Sequence, residues 1–209
     1  MNKDQRFWDK MADGYSRQPI ADEVAYQTKL EKTREYFSPD SQVLEFGCGT
    51  GGTAISHAPF IGHILATDLS EEMLTIARSK AEAAEISNVS FEHAGFDDLK
   101  ADPASFDVVL GLSILHLLSD RDAAIAKVHT LLKPGGVFVS STVCLGEKLW
   151  IFSLIAPVGR FFGFIPILKV FTGKQLKNSM IAAGFEIDHE WRPGKSQTSF
   201  LIARKPATP

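Results

Sequence analysis

The sequence predicts an α/β fold: a Rossmann-like, doubly wound, mainly parallel seven-stranded sheet with helices on both faces and an antiparallel strand near the C-terminus. Three observations carry this expectation. Short apolar runs alternate with helix-spaced segments along most of the chain. A glycine-rich turn, Gly47–Gly52, follows the first apolar run directly. The 209 residues, 44% hydrophobic and 22% charged, have the composition of an ordinary soluble globular domain large enough for one core.

Taken in order, Val24–Phe37 has helical spacing at Val24, Leu30 and Phe37 and is broken by Ser38-Pro39, so a helical arm precedes the sheet. Gln42–Phe46 is an apolar strand, followed by the glycine turn and a short helix that Pro59 stops. His63–Thr67 is a second strand ending at Asp68, and Ser70 can cap a helix running to about Ile86, with Glu71 and Glu72 near its positive end. Val89–His93 and Phe106–Leu112 are the third and fourth strands; the latter is nearly continuous in apolar residues, as a strand buried on both faces should be. Ser119 with Asp122 fits a capping box for a helix stopped by Lys133-Pro134-Gly135-Gly136. Val137–Ser141 is the fifth strand, Thr172 with Gln175 opens a capped helix ending at Gly184, and Phe185–Trp191 and Ser199–Arg204 are two late strands.

Composition excludes several classes. With 22 Lys+Arg against 25 Asp+Glu the net charge is −3, so no general basic field exists to bind nucleic acid or an anionic membrane. Two cysteines, Cys48 and Cys144, suggest neither a disulfide framework nor a zinc cluster, and a reducing cytoplasm fits them best. The first ten residues are polar and mixed in charge, unlike a secretory signal. Leu149–Phe171 is strongly apolar, but Arg160, Pro157, Gly163 and Pro166 interrupt it, which makes it a poor membrane span. The expected organisation is one domain: arm 1–39, cofactor-binding core 40–144, apolar insert 145–171 and the rest of the sheet 172–209.

Ligands of open α/β sheets sit beyond the carboxyl ends of the strands where strand order reverses, and Gly47–Gly52 occupies that place. Gly47, Gly49 and Gly52 satisfy GxGxxG, and Asp68 lies at the distance of a ribose-binding acid. By themselves these residues suit a nicotinamide dinucleotide equally well, which leaves an NAD(P)-dependent oxidoreductase as an alternative. Glu45 separates the readings. Its carboxylate would confront a pyrophosphate but suits a ligand carrying an ammonium group.

Val43–Gly52 as VLEFGCGTGG, Ala66–Leu74 as ATDLSEEML, Phe106–Leu112 as FDVVLGL and Leu132–Val139 as LKPGGVFV together resemble the class I S-adenosylmethionine-dependent methyltransferases of small-molecule type. The resemblance covers about Gln42–Ser141 and extends more loosely through Leu176–Arg204. It implies S-adenosylmethionine as cofactor and methyl transfer as activity. Gly47 and Gly49, with Cys48 between them, would let the turn pass the methionine moiety, and Glu45 would fix its amino group. Asp68 would accept the ribose hydroxyls, Leu69 would pack on adenine, and Leu112 would offer backbone near the methionine part. The usual acidic partner of the adenine amino group falls on Gly95, followed by Phe96, which is kept as a backbone contact, with Asp97 as a substitute acid. A cofactor-binding protein without transferase activity is the third reading.

The sulfonium makes the methyl group electrophilic, so the protein's main task is to align the acceptor. His116, just beyond the fourth strand, is the candidate general base. His57 and His93 suit turn or edge positions. Tyr15, in the segment Phe7–Tyr15, is the candidate substrate-side residue of a closing arm; pinning that arm to the domain is the alternative. Metal binding has no support, and no Asn-Pro-Pro-aromatic signature follows the fourth strand, which argues against members that methylate amino groups of bases or glutamine. The stretch 149–171, with five phenylalanines and Trp150, suits a substrate lid, a peripheral membrane contact or a packing and homodimer surface. Its apolar character points to a hydrophobic small-molecule acceptor.

Overall fold

The computed structural model describes residues 3–144, 146, 167–193 and 198–207. Helices α1 (Lys3–Ser16) and α2 (Glu23–Arg34) precede β1 (Gln42–Phe46), α3 (Gly52–His57), β2 (His63–Asp68), α4 (Glu71–Ala83), β3 (Val89–His93) and β4 (Phe106–Leu112). Then follow α5 (Arg121–Leu131), β5 (Leu132–Val143), α6 (Gly173–Ala182), β6 (Glu186–Trp191) and β7 (Thr198–Arg204). The seven strands lie in the order β3-β2-β1-β4-β5-β7-β6. β1 pairs in parallel with β2 and β4, and β2 with β3, whereas β7 runs antiparallel to β5 and β6. The expected mixed sheet with a late antiparallel strand is therefore present.

The chain forms two compact units, Met1–Lys100 with Phe106–Leu110, and Ala101–Ser105 with Gly111–Pro209. In the first, strand order reverses at β1: β2 and β3 lie on one side and β4 on the other, with Glu45 opposite Ala66 and Leu110 in the two registers. Val43, Leu44, Phe46, Ile64, Leu74 and Ala77 are fully buried there. Ser70 caps α4 as expected, its Oγ accepting from the Met73 amide (3.2 Å). α4 stops at Ala83 rather than near Ile86. The next turn is wound past the helix, with Glu85 at φ 54° and the Ile86 amide donating back to the Ala81 carbonyl.

The second unit packs Ile125, Val128, Leu176, Met180, Phe138 and Phe200 into its interior. Its α5 is capped by Asp120, whose Oδ1 accepts from the Ala123 amide (2.9 Å), and not by Ser119. Both residues can cap, but the helix begins one residue later than the Ser119–Asp122 spacing suggests. β5 starts at Leu132, before the Pro134-Gly135-Gly136 stretch, so those residues belong to the strand and not to a separate stop. The capping box at α6 is complete: Thr172 Oγ1 accepts from the Gln175 amide (3.1 Å) and the Thr172 amide donates to Gln175 Oε1 (2.8 Å). Gly184, at φ 94°, ends that helix. Of the apolar stretch 149–171, residues 149–166 lie outside the described residues; Phe171 is buried beneath the Arg121 guanidinium, 4.5 Å from its ring centre. Among the described residues no helix is long and apolar enough to cross a membrane.

The third demanding glycine of the turn is Gly51 and not Gly52. Gly51 has φ 75°, and a Cβ there would lie 2.8 Å from Ala77 Cβ and 3.1 Å from the Phe91 ring, while a Cβ on Gly52 would meet nothing within 4 Å. Gly51→Ala should therefore cost about 2–4 kcal/mol of stability, combining left-handed strain with overpacking. Gly52→Ala should change it by under about 1 kcal/mol, in the stabilising direction. Urea denaturation of the two variants checks the contrast; equal losses would refute it.

Candidate functional site

The glycine turn exists because the chain must reverse sharply from the end of β1 into α3, and Gly47, Gly49 and Gly51 all take positive φ (67°, 54° and 75°) that side chains with a Cβ resist. The bend is held from β2. The Cys48 amide donates to the Thr67 carbonyl (2.9 Å) and the Gly49 amide to Asp68 Oδ2 (2.8 Å). The other carboxylate oxygen of Asp68 accepts from the Ser70 amide (2.9 Å) at the start of α4. A single side chain thus ties the turn to the next helix. The Leu69 amide also donates to this carboxylate, which still has acceptor capacity for a further donor.

Beneath the turn lies Glu45, 3% exposed. Its carboxyl group accepts from the Ala54 amide, but Oε2 has no partner. Burial first, and the Asp68 charge second, push its pKa up to about 8. Asp68 is raised too, chiefly by burial, against the pull of the Ser70, Gly49 and Leu69 amides and with a further push from Asp9. Two crowded acids, one with an orphan oxygen, are surroundings that would favour a cation able to donate hydrogen bonds. Cys48 is buried beside them and its thiol is pushed well up by burial and both carboxylates, which makes it an inert wall.

Helix α1 is seated against α4. Ser70 Oγ donates to Asp9 Oδ1 (2.7 Å), so the residue that caps α4 also anchors the arm. Tyr15 stands over the turn, its Cε1 3.8 Å from where a Cβ on Gly49 would lie, with Trp8 edge-on behind it at 6.5 Å between ring centres. Its phenol pKa is raised by burial, then by Asp68, Glu45 and Tyr26. The residue as a whole is nevertheless 45% exposed. Phe96 is buried and stacks on Phe46 at 4.0 Å, next to Glu45 in sequence. Leu69 is half-buried, and its carbonyl lies 2.9 Å from His93 Nε2. Asp97 is exposed, and Gly95 accepts the Asp98 and Leu99 amides in a tight turn (3.0 Å each). The first unit thus gathers Glu45, Gly47, Cys48, Gly49, Asp68, Leu69, Phe96 and Tyr15.

Leu112 and His116 belong to the second unit. Leu112 ends β4 half-buried. His116 sits in a short 3-10 turn, 9% exposed; burial lowers its pKa to about 4, and its Nδ1 has no partner. Its carbonyl accepts from the Lys169 amide (2.7 Å). His57, the last residue of α3, is buried edge-on against Phe37 (4.9 Å), where burial and Arg34 lower its pKa to about 3, a buried helix-end position and not the turn or edge expected. Sequence reasoning missed Asp9, Gly51 and the Lys80–Thr50 hydrogen bond (3.0 Å). No local signal marks Asp9, because its role is created by the docking of α1. Among the described residues no group of three or more His, Cys, Asp or Glu could hold a metal.

Residues 43–136 match the model of a methyltransferase-domain family. Over 115 residues the chain is 30% identical to a ubiquinone biosynthesis O-methyltransferase of Acinetobacter baylyi, covering 54% of this chain and 48% of that one. It is 32% identical over 118 residues to an arsenite methyltransferase of Aquipseudomonas alcaligenes, 52% of this chain and 34% of the relative. The chain thus spans at most about half the length of these two curated relatives. In three dimensions it is similar to the YcgJ protein of Bacillus subtilis, with a TM-score of 0.70, 16% identity, 86% of this chain and 99% of that one covered.

The raised acid has a consequence for stability. Glu45 holds its proton more tightly folded (about 8) than in its ordinary state (4.5), so its contribution is fully present below 4.5 and is lost as pH rises through about 8. Across that window its share of the slope approaches about 1.4 kcal/mol per pH unit. Glu45→Gln keeps an acceptor for the Ala54 amide and should flatten the decline in melting temperature. Parallel curves for the two proteins would show that Glu45 ionises as it does in water.

Proposed function

We propose that this chain, whose residues 43–136 match a methyltransferase-domain family, is a class I S-adenosylmethionine-dependent methyltransferase that transfers a methyl group to a small, hydrophobic acceptor by in-line displacement. The observation that carries the reading is the orphan oxygen of Glu45 beneath the glycine turn, beside the buried carboxylate of Asp68. A dinucleotide pyrophosphate would add negative charge beside the Asp68 carboxylate and hold Glu45 protonated, whereas an amino acid ammonium and a sulfonium would let both acids ionise.

S-adenosylmethionine supplies a methyl group already activated by its positive sulfur. Glu45 would take the amino group, becoming ionised as it does so. Asp68 would accept from the ribose hydroxyls beside the Gly49 and Ser70 amides that it already holds. Gly47, Cys48 and Gly49 would present backbone to the methionine part, Leu69 would cover adenine, and Phe96 and Leu112 would contribute backbone. Tyr15 would form part of the acceptor's surroundings on the arm. His116, uncharged near neutral pH because burial lowers its pKa, would take the proton of a hydroxyl or ammonium acceptor on Nδ1. The apolar stretch 149–171 favours an apolar acceptor.

Titration calorimetry tests the cofactor half. S-adenosylmethionine should bind, with affinity rising as pH climbs toward about 8, because Glu45 must shed its proton to meet an ammonium. Glu45→Gln should remove that dependence, and Asp68→Ala should weaken binding by about 1.5–3 kcal/mol. Binding of a nicotinamide dinucleotide in place of S-adenosylmethionine would overturn the reading.

Turnover with a panel of apolar and polar acceptors tests the other half. His116→Ala should reduce turnover at least about 100-fold with cofactor affinity kept. The acid limb of the wild-type rate should lie near about 4. Near-normal turnover in the variant would discard His116 as the base, and methylation of polar acceptors alone would discard the apolar substrate.

A further inference from the structure

His116 lies on a short 3-10 turn, Leu115–Leu117, closed by a backbone bond from the Leu117 amide to the Ile114 carbonyl (2.8 Å). Hydrogen-bond geometry in such turns is poor, so a bond of this kind holds a side chain's direction weakly. A second bond arrives from far along the chain, where the Lys169 amide donates to the His116 carbonyl (2.7 Å). Lys169 stands in 167–171, a segment that belongs to no helix or strand. Whatever fixes that segment also fixes the turn.

Phe171 anchors the segment through both its backbone and its ring. Its carbonyl accepts from the Gly146 amide (3.0 Å), and a Cβ on Gly146 would lie 2.7 Å from the Phe171 carbonyl carbon, so the two stretches meet backbone to backbone. The ring is buried, with Arg121 Cζ 4.5 Å from its centre. A guanidinium so placed is attracted by the negative face of the ring. The guanidinium is itself held: Nη2 donates to Ser179 Oγ on α6 (2.9 Å) and Nε to Asp122 Oδ1 (2.9 Å). Arg121 is the first residue of α5, where the helix dipole repels a cation, so its contacts and not the dipole account for its place. It joins α5, α6 and the segment that carries Lys169.

We propose that Arg121 is a positioning residue for His116: by holding Phe171 it fixes 167–171, whose Lys169 amide keeps the His116 turn buried and oriented. The inference rests on the reading of His116 as the general base. Arg121 acts through packing and backbone and not through its charge on the imidazole. Burial lowers the pKa of His116 to about 4, and among the described residues no charged neighbour adds to that effect. The titration of the imidazole therefore reports how well the turn excludes water.

The test follows the His116 imidazole of the full chain by NMR, its resonance identified by its absence from the His116→Ala spectrum. The wild type should titrate at about 4. In Arg121→Ala the loosened turn admits water, and the imidazole should titrate closer to its ordinary 6.5 than to 4. Phe171→Leu, which keeps apolar filling but offers no aromatic face, should move it the same way. Arg121→Lys, which keeps a cation for the ring, should return it toward about 4. Ser179→Ala removes only the link to α6 and should leave the titration as in the wild type. With whichever acceptor of the panel the wild type methylates, Arg121→Ala should lower kcat about tenfold or more at unchanged KM for S-adenosylmethionine, with the acid limb of the rate following the titration upward. An unchanged titration in both Arg121→Ala and Phe171→Leu overturns the proposal. So does a change that Ser179→Ala reproduces in full, which would make Arg121 a staple between helices. The titration is read without cofactor or acceptor and judges the positioning by itself, whereas near-normal turnover in His116→Ala discards the base and leaves the titration result standing.

Discussion

The carboxylate of Asp68 is the constraint on which the first unit is built. One oxygen holds the Gly49 amide and the other the Ser70 amide. The same group therefore fixes a left-handed turn after β1 and the start of α4 after β2. The second link is Ser70, which caps α4 and donates to Asp9 of α1. Turn, sheet, helix and arm meet through these hydrogen bonds. Keeping Asp68 out of water raises its pKa and, through its charge, that of Glu45. The geometry that shapes the turn and the electrostatics that favour a cation have the same origin.

Much of this was legible in the residues because strands buried on both faces leave continuous apolar runs, and caps leave short polar signatures. Gln42–Phe46, Val89–His93 and Phe106–Leu112 agree with their strands end to end. Thr172 and Gln175 form the capping box that their spacing suggests. Discrepancies arise where two local solutions are nearly equal in energy. Ser119 and Asp120 both cap well, and tertiary packing chooses the second. GxGxxG points to Gly52 by letter, yet the close approach of Ala77 and Phe91 falls on Gly51, a contact between elements that no spacing rule contains.

The same limit applies to the site. Glu45 and Asp68 were readable because each ends a strand at the point where strand order reverses, and position alone sends them to one place. Asp9 is different, and Tyr15 was legible only through the likeness of its segment to a closing arm. Asp9 and Tyr15 lie on a helix whose docking depends on contacts across more than fifty residues of sequence.

The family match ends at residue 136, so it covers the turn, Asp68 and β4 but stops at the first residues of β5. β6, β7 and α6 lie beyond it. That boundary has a chemical meaning. A cofactor with fixed charge and shape demands the same turn and the same acids wherever it binds, and those demands leave recognisable motifs. Acceptors differ in charge, size and reacting atom, so the residues that meet them follow no common pattern. What individualises this chain should therefore be sought in the orphan donors and acceptors outside the matched segment rather than in its motifs. Ser199 is such a group: a buried hydroxyl at 1% exposure without a partner is costly to keep.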